Sequence, residues 1–303
     1  GMVDAMDHHI GRLVAHLERQ GKLDNTVFIF LSDNGAEGSL ATRQLGDNPA
    51  APALIMNAWM RASGFNTDIE TLGEIDSYHD IGPSWASAAV GPLAWYKFFA
   101  SEGGMRVPLV IGGKVNGQPL IANTGAVSQS FAWITDIAPT VLQLAGAVDL
   151  PSDMVGKSLI PVLQDERASV RLADEMIGYE LGGNKALYQG DYKLVYNRFR
   201  GQTPQWQLFN ISADPGETQN LASAKPQLFI ELKAAYVLWA KQNGVVEVRP
   251  DYDQGQVMLG KVFANRPILL VYLVGGLLGV FTLFVIIPWV LVRRFRKRIK
   301  SIK

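Results

Sequence analysis

The sequence predicts an α/β protein with a small antiparallel α+β portion and one apolar C-terminal helix, and three observations carry that reading. An amphipathic helix runs into Thr26–Leu31, a β-branched and aromatic run that stops at Ser32-Asp33-Asn34-Gly35. Four short segments between 174 and 209 are separated by glycine-bearing turns. Residues 268–292 form 25 consecutive positions without a charge.

The first helix is read from Val3, Met6, Ile10, Leu13, Val14 and Leu17, which recur at helical spacing within residues 3 to 20. Asp4 and Asp7 suit its positive N-terminal end, and Gly21 closes it. The run from 26 to 31 has no alternation, the pattern of a strand buried on both faces of a parallel sheet. A helix, a short turn and such a strand make half of a βαβ unit, which points to the α/β class.

Residues 36 to 95 are rich in Ala, Gly and Pro with weak periodicity, and read as a long, partly helical insertion above the strand end. Val107–Ile111 is expected as a second buried strand, and Asp136–Leu144 as a helix. Beyond the Pro-Ser-Asp boundary near 151, segments 174–180, 185–189, 191–197 and 205–209 read as strands of an antiparallel sheet. A helix over about 225–242 is expected to pack on it. The predicted organisation is therefore 1–150 as part of a catalytic domain, 151–250 as a small antiparallel α+β subdomain, and 251–267 as a linker. A transmembrane helix at 268–292 and a basic tail at 293–303 complete it.

At ~1.5 Å per residue the uncharged stretch spans about 37 Å, enough to cross a hydrocarbon core of about 30 Å with some tilt. Tyr272 and Trp289 sit near its ends as interface anchors. The tail RRFRKRIKSIK holds seven basic groups and no acid, which orients it to the cytoplasm and the globular part to the extracytoplasmic (periplasmic) side. Gly275 and Gly279 form a GxxxG pair compatible with a homodimer of helices.

The 28 basic and 28 acidic residues balance, but without the tail 28 − 7 = 21 basic groups face 28 acidic ones. A globular part that acidic is not built for nucleic acid. The absence of cysteine excludes disulfides and thiolate chemistry within these residues.

Two segments carry candidate chemistry. Asp33 and Asn34 offer a carboxylate and an amide oxygen at a strand end, donors that a hard cation such as calcium accepts. The same Asp-Asn-Gly sequence also suits a β-turn. Lys97 precedes Glu102-Gly103-Gly104 by five residues, where its ammonium is either a solvated charge or an anion ligand.

Taken in order, the initial helix with LDNT, then SDNG, YKFFASEGGMRVP, TDIAPTVLQLAG, GDYKLV and QLFNISADPGETQNLA resemble the C-terminal half of type I sulfatases, most closely bacterial arylsulfatases. The resemblance covers residue 2 to about 243. It implies an alkaline-phosphatase-like α/β sandwich with a large mixed sheet and a small C-terminal antiparallel subdomain. It also implies metal ligation by Asp33 and Asn34, with a calcium ion as cofactor, and sulfate binding by Lys97. Glu102 and Arg106 are expected to shape the Lys97 loop, and Asp214 and Glu217 to fix a turn.

The family's nucleophile is a formylglycine made from Cys or Ser in a Cys/Ser-x-Pro-x-Arg motif, and this sequence holds none. No catalytic nucleophile is therefore expected within these residues, which read as a fragment inactive alone, the formylglycine modification belonging to an N-terminal part. The implied function is hydrolysis of sulfate esters by a membrane-anchored enzyme, with an aryl or sugar sulfate and membrane lipid as partners. Alternatives are a phosphonate or phosphate monoester hydrolase of the same superfamily, and a non-catalytic membrane-tethered binding module. His8, His9 and His16 are expected to be packed or solvated on the first helix, and His79 to border the cleft.

Overall fold

The computed structural model describes residues 1–39, 60–199, 202–249 and 251–252, and from 257 onward single residues and short runs, the longest being 281–290. Residues 1–40 and 66–247 gather into one compact unit, and 41–65 with 248–303 into a second.

The first unit opens with α1, Met2–Arg19. Gly21 takes φ +65° just past its end. The Gly21 and Lys22 N–H groups donate to Glu18 O and Leu17 O, each at 2.9 Å, a Schellman closure that uses the glycine's conformational freedom. No residue of α1 is buried within this chain, and Val3, Met6, Ile10 and Leu13 of its apolar stripe are exposed.

Strand β1, Val27–Leu31, pairs with β2, Leu109–Val115, which in turn pairs with the short β3, Gln118–Pro119. Both pairings are antiparallel, with Val27 opposite Gly113 and Leu31 opposite Leu109. The expectation of a parallel sheet with doubly buried strands is thus corrected: Phe30 and Val110 face each other on an exposed surface. An unbroken apolar run reports burial propensity but contains nothing about the direction of the neighbouring strand. Among the described residues this sheet has three strands, all antiparallel.

The insertion holds a 3₁₀ turn, Ile69–Thr71, and the helix α2, Gly82–Val90. The part of it at 40–59 lies outside the described residues. A short helix α3, Glu102–Met105, leads into β2, and α4, Ile137–Leu144, and α5, Ile160–Gln164, follow.

The C-terminal sheet matches its sequence pattern within two residues. Strands β4 (Met176–Leu181), β5 (Asn184–Gln189), β6 (Tyr192–Tyr196) and β7 (Trp206–Asn210) are antiparallel neighbours in sequence order. Gly182 and Gly183, both at positive φ, make the two-residue turn between β4 and β5. Helix α6, Pro226–Gln242, covers one face, where Leu187, Leu194 and Leu208 pack on Leu232, Tyr236 and Ala240. Alternation places Ala186 and Tyr188 on the other face, against Ala100. The sheet is therefore a layer between α6 and the loop that carries Lys97.

In the second unit, Thr282–Ile286 form a π-helical turn followed by helical residues 287–290. Thr282 Oγ1 donates to Leu278 O at 2.7 Å, which satisfies the hydroxyl within the helix. Among the described residues no helix is long and apolar enough to cross a membrane. Residues 268–273, 277, 280 and 291 of the expected span, Tyr272 included, and the tail 293–303 lie outside the described residues.

Candidate active site

Antiparallel pairing decides where the two sequence segments meet. Because Leu31 is opposite Leu109, the residues following β1 lie beside those preceding β2. The ladder continues past the strands as Ser32 N–H donates to Pro108 O (3.4 Å), Gly35 N–H to Gly104 O (2.9 Å), and Lys97 N–H to Ala36 O (3.0 Å). Segment 32–36 is thus threaded between the two ends of segment 97–108.

Glycine makes this approach possible. A Cβ on Gly35 would stand 1.9 Å from Gly103 O, and one on Gly103 would stand 2.1 Å from Trp95 O. Both are far inside contact distance and both obstacles are backbone, so side chains at these positions would force the loops apart. Ser32 Oγ adds a bond to Asn34 O at 2.8 Å that tightens the turn after β1.

Asp33 is exposed and Asn34 half-buried at the end of β1. Their carboxylate and amide oxygens are hard donors of the kind calcium accepts, and would make two of the roughly six to eight oxygens that ion takes. Among the described residues no group of three or more His, Cys, Asp or Glu side chains is placed to hold a metal.

Lys97 lies between Trp95 (φ +61°) and Phe98 (φ +81°), two bulky residues in the left-handed region. Such conformations cost on the order of 1–3 kcal/mol each and persist where surroundings over-determine them. Here they do: Asn184 Nδ2 donates to Phe98 O (2.9 Å), Asn197 Oδ1 accepts from Ala100 N–H (2.7 Å), and Asn197 Nδ2 donates to Ser101 Oγ (2.8 Å). Trp95 and Phe99 also pack on Phe199, with ring centroids 4.4 and 5.2 Å away. The Lys97 loop is gripped by the C-terminal sheet.

The Lys97 ammonium is 2.8 Å from Glu37 Oε2 and 5.4 Å from the centre of the Phe98 ring. Glu37 Oε1 accepts the Ser39 N–H at 2.8 Å. Partial burial pushes the Glu37 carboxyl up, but the hydrogen bonds from Lys97 and Ser39 outweigh it and hold the group below the usual carboxylate range.

Beneath the loop lies a buried ionic cluster. Lys193, fully buried on β6, is 2.8 Å from Glu102 Oε1 and 2.9 Å from Glu217 Oε1. The second contact has no hydrogen-bond geometry and is electrostatic only, since Glu217 Oε1 has no hydrogen-bond partner. Glu217 Oε2 accepts the Glu102 N–H at 3.2 Å, and Tyr188 OH donates to Glu102 Oε1 at 2.9 Å. Burial first, then the neighbouring Glu102 charge and that hydrogen bond, raise the Tyr188 hydroxyl well above its ordinary range.

Several expected roles move accordingly. Glu102 does shape the Lys97 loop, from below, whereas Arg106 is exposed. Asp214 fixes its turn by accepting the Thr218 and Gln219 N–H groups, each at 2.8 Å. Glu217, at φ +51°, instead turns inward to Lys193. His8, His9 and His16 are solvated, and exposed His79 bonds Asp68 O at 3.0 Å. Glu37, Tyr188, Asn184, Lys193 and Asn197 escaped the sequence reading. A lysine inside the otherwise apolar strand Tyr192–Tyr196 was the one available signal.

Residues 1–147 match the sulfatase family model, and residues 91–241 match the N-sulphoglucosamine sulphohydrolase C-terminal model. An uncharacterized sulfatase of Schizosaccharomyces pombe is 33% identical over 267 residues, covering 86% of this chain and 46% of that protein. An N-acetylglucosamine-6-O-sulfatase of Bacteroides thetaiotaomicron is 27% identical over 227 residues, 72% of this chain and 30% of its own. The crystal structure of Ps i-CgsB in complex with k-i-k-neocarrahexaose superposes with a TM-score of 0.54 at 21% identity, covering 87% of this chain and 47% of that one, a shared fold. The chain spans less than half the length of these relatives. With the two family models running continuously over residues 1–241, the chain belongs to the sulfatase family of the alkaline-phosphatase-like superfamily.

Proposed function

We propose that this chain forms part of the active site of a hydrolase of sulfate esters, with Asp33 and Asn34 as calcium ligands and Lys97 as the sulfate ligand. The observation that carries the reading is the backbone bond from Lys97 N–H to Ala36 O, 3.0 Å, which joins the lysine loop to the residues just after Asp33 and Asn34. A cation ligand pair and a fixed ammonium at one strand end suit charge development on sulfate oxygens during attack at sulfur. Lys97 would orient the ester and neutralise an oxygen of the sulfate group. Calcium would act as a Lewis acid on the same group. A formylglycine nucleophile of the kind the sulfatase resemblance implies is proposed to lie outside these residues, which hold no cysteine and no Ser-x-Pro-x-Arg.

Aryl sulfates and sulfated sugars are the proposed substrates. The sugar class is supported by the relative that acts on N-acetylglucosamine-6-sulfate groups and by the fold neighbour that holds a neocarrahexaose. The membrane placement is proposed on sequence grounds, namely the uncharged 268–292 segment followed by seven basic residues.

Turnover of 4-nitrophenyl sulfate by the full-length protein tests the site. Asp33→Ala and Lys97→Ala are each expected to lower kcat/KM by about 100-fold or more, the scale of losing one preorganised electrostatic group. Wild-type turnover in both variants would overturn the assignment. Faster turnover of 4-nitrophenyl phenylphosphonate, a phosphonate monoester with the same leaving group, than of the sulfate ester would select the phosphonate hydrolase reading instead. A reporter fused after Lys303 that proves extracytoplasmic would reverse the orientation.

A further inference from the structure

The acidic partner of Lys97 gives the candidate anion site a charge preference. Glu37 Oε2 stands 2.8 Å from Lys97 Nζ, and its other oxygen is held by the Ser39 N–H at 2.8 Å. The Lys97 N–H to Ala36 O bond ties together the two backbones that carry the pair. The two side chains are therefore aligned by their backbones rather than by a chance meeting in solvent. They retain 33% and 44% exposure, so the pair remains accessible to an anion from solvent. Of its three N–H donors, one directed at Glu37 leaves two for a ligand. An ion pair this exposed adds little to folding stability, which leaves its effect on the site's charge as its main physical consequence.

A sulfate ester carries one negative charge. The inorganic sulfate released by its hydrolysis carries two, as does a phosphate monoester at neutral pH. Coulomb energy is linear in charge, so a fixed carboxylate beside the ammonium opposes a dianion twice as strongly as a monoanion. We propose that Glu37 sets the charge selectivity of the Lys97 anion site, weakening inorganic sulfate and phosphate monoesters relative to sulfate ester monoanions. The inference rests on Lys97 being the anion ligand. It makes Glu37 a specificity residue that favours release of the sulfate product.

The test is equilibrium binding of sodium sulfate and of methyl sulfate to the full-length protein, at constant ionic strength and neutral pH, by titration calorimetry. Glu37→Gln keeps the size and one hydrogen bond but removes the charge. It is expected to tighten sulfate about fivefold more than methyl sulfate, the effect of one extra unit charge a few ångströms away in a largely aqueous setting. Glu37→Asp, which keeps the charge, is expected to retain the wild-type ratio. An unchanged ratio in Glu37→Gln, with Lys97→Ala still weakening both anions, overturns the charge role and leaves the Lys97 assignment standing. Unchanged binding of both anions in Lys97→Ala overturns that assignment, and this inference with it.

Discussion

Tyr188 and Lys193 face each other across the β5–β6 pair and converge on one atom, Glu102 Oε1, at 2.9 and 2.8 Å. The register of two strands in the C-terminal sheet thereby fixes the residue five positions after Lys97. A buried lysine between two buried glutamate side chains has the energetics of an ion cluster removed from water.

Replacing Lys193 by Met leaves Glu102 and Glu217 buried with no cation. The expected loss is about 3–5 kcal/mol, the scale of breaking a buried pair by removing one partner. Combining Lys193→Met with Glu102→Gln and Glu217→Gln is expected to recover part of it, because no buried charge then remains. Urea denaturation of both variants checks this. A loss below about 1 kcal/mol in the single variant would mean that the cluster is solvated.

Gly35→Ala is expected to damage the site, because Gly35 is buried against backbone. Its Cβ would sit 1.9 Å from Gly103 O, so segments 32–36 and 102–104 must separate, at a cost of about 1–3 kcal/mol or more. Sulfate ester turnover should fall with it, whereas Gly117→Ala, in open space at the β2–β3 turn, should affect stability through its φ of +78° but leave the site geometry alone. Comparison of Tm and kcat/KM for the two variants separates the effects.

The Glu37–Lys97 pair should survive mild acid. The folded-state carboxyl titrates below its ordinary value of 4.5. Its contribution is therefore present above about that pH and lost as pH falls through the lower, folded value. A ¹³C carboxyl titration should show Glu37 still ionised at pH 4.5, and Lys97→Ala should move its midpoint upward. A midpoint at or above 4.5 in the unmodified protein would contradict the paired geometry.

Tyr188 should resist alkaline titration. Its folded pKa is raised, so its contribution is complete below the ordinary tyrosine value of 10.0 and declines as pH rises beyond it. Ultraviolet difference titration of Tyr188→Phe should match the parent up to about pH 10 and lose amplitude only in the late, unfolding-linked phase. Early loss of amplitude would place the hydroxyl in water.

Much of the C-terminal part was legible locally. Glycine pairs, period-two alternation and an amphipathic stretch carry the strands of 176–210 and the helix at 226–242, because turn chemistry and side-chain alternation are short-range properties. Segments around Asp33 and Lys97 were visible as a strand end and a lysine before Glu-Gly-Gly. Glu37 was not, since a glutamate in Ala-Glu-Gly has no signature until its partner is placed. Glu217 was read as part of a turn because Asp214, three residues earlier, does that work within the same motif.

From residue order alone follow the element types, the turn glycines, the acidic balance of residues 1–292, the uncharged 268–292 segment and the family resemblance, all properties of neighbours along the chain. Tertiary structure decided that β1 and β2 are antiparallel, and so that the segment after Leu31 lies against the one before Leu109. It also decided that Asn184, Tyr188, Lys193 and Asn197 hold the Lys97 loop from nearly a hundred residues away. Strand direction and long-range partners depend on the free energy of the whole packed arrangement, in which a buried charge must find its counter-charge, and no local window of sequence contains that sum.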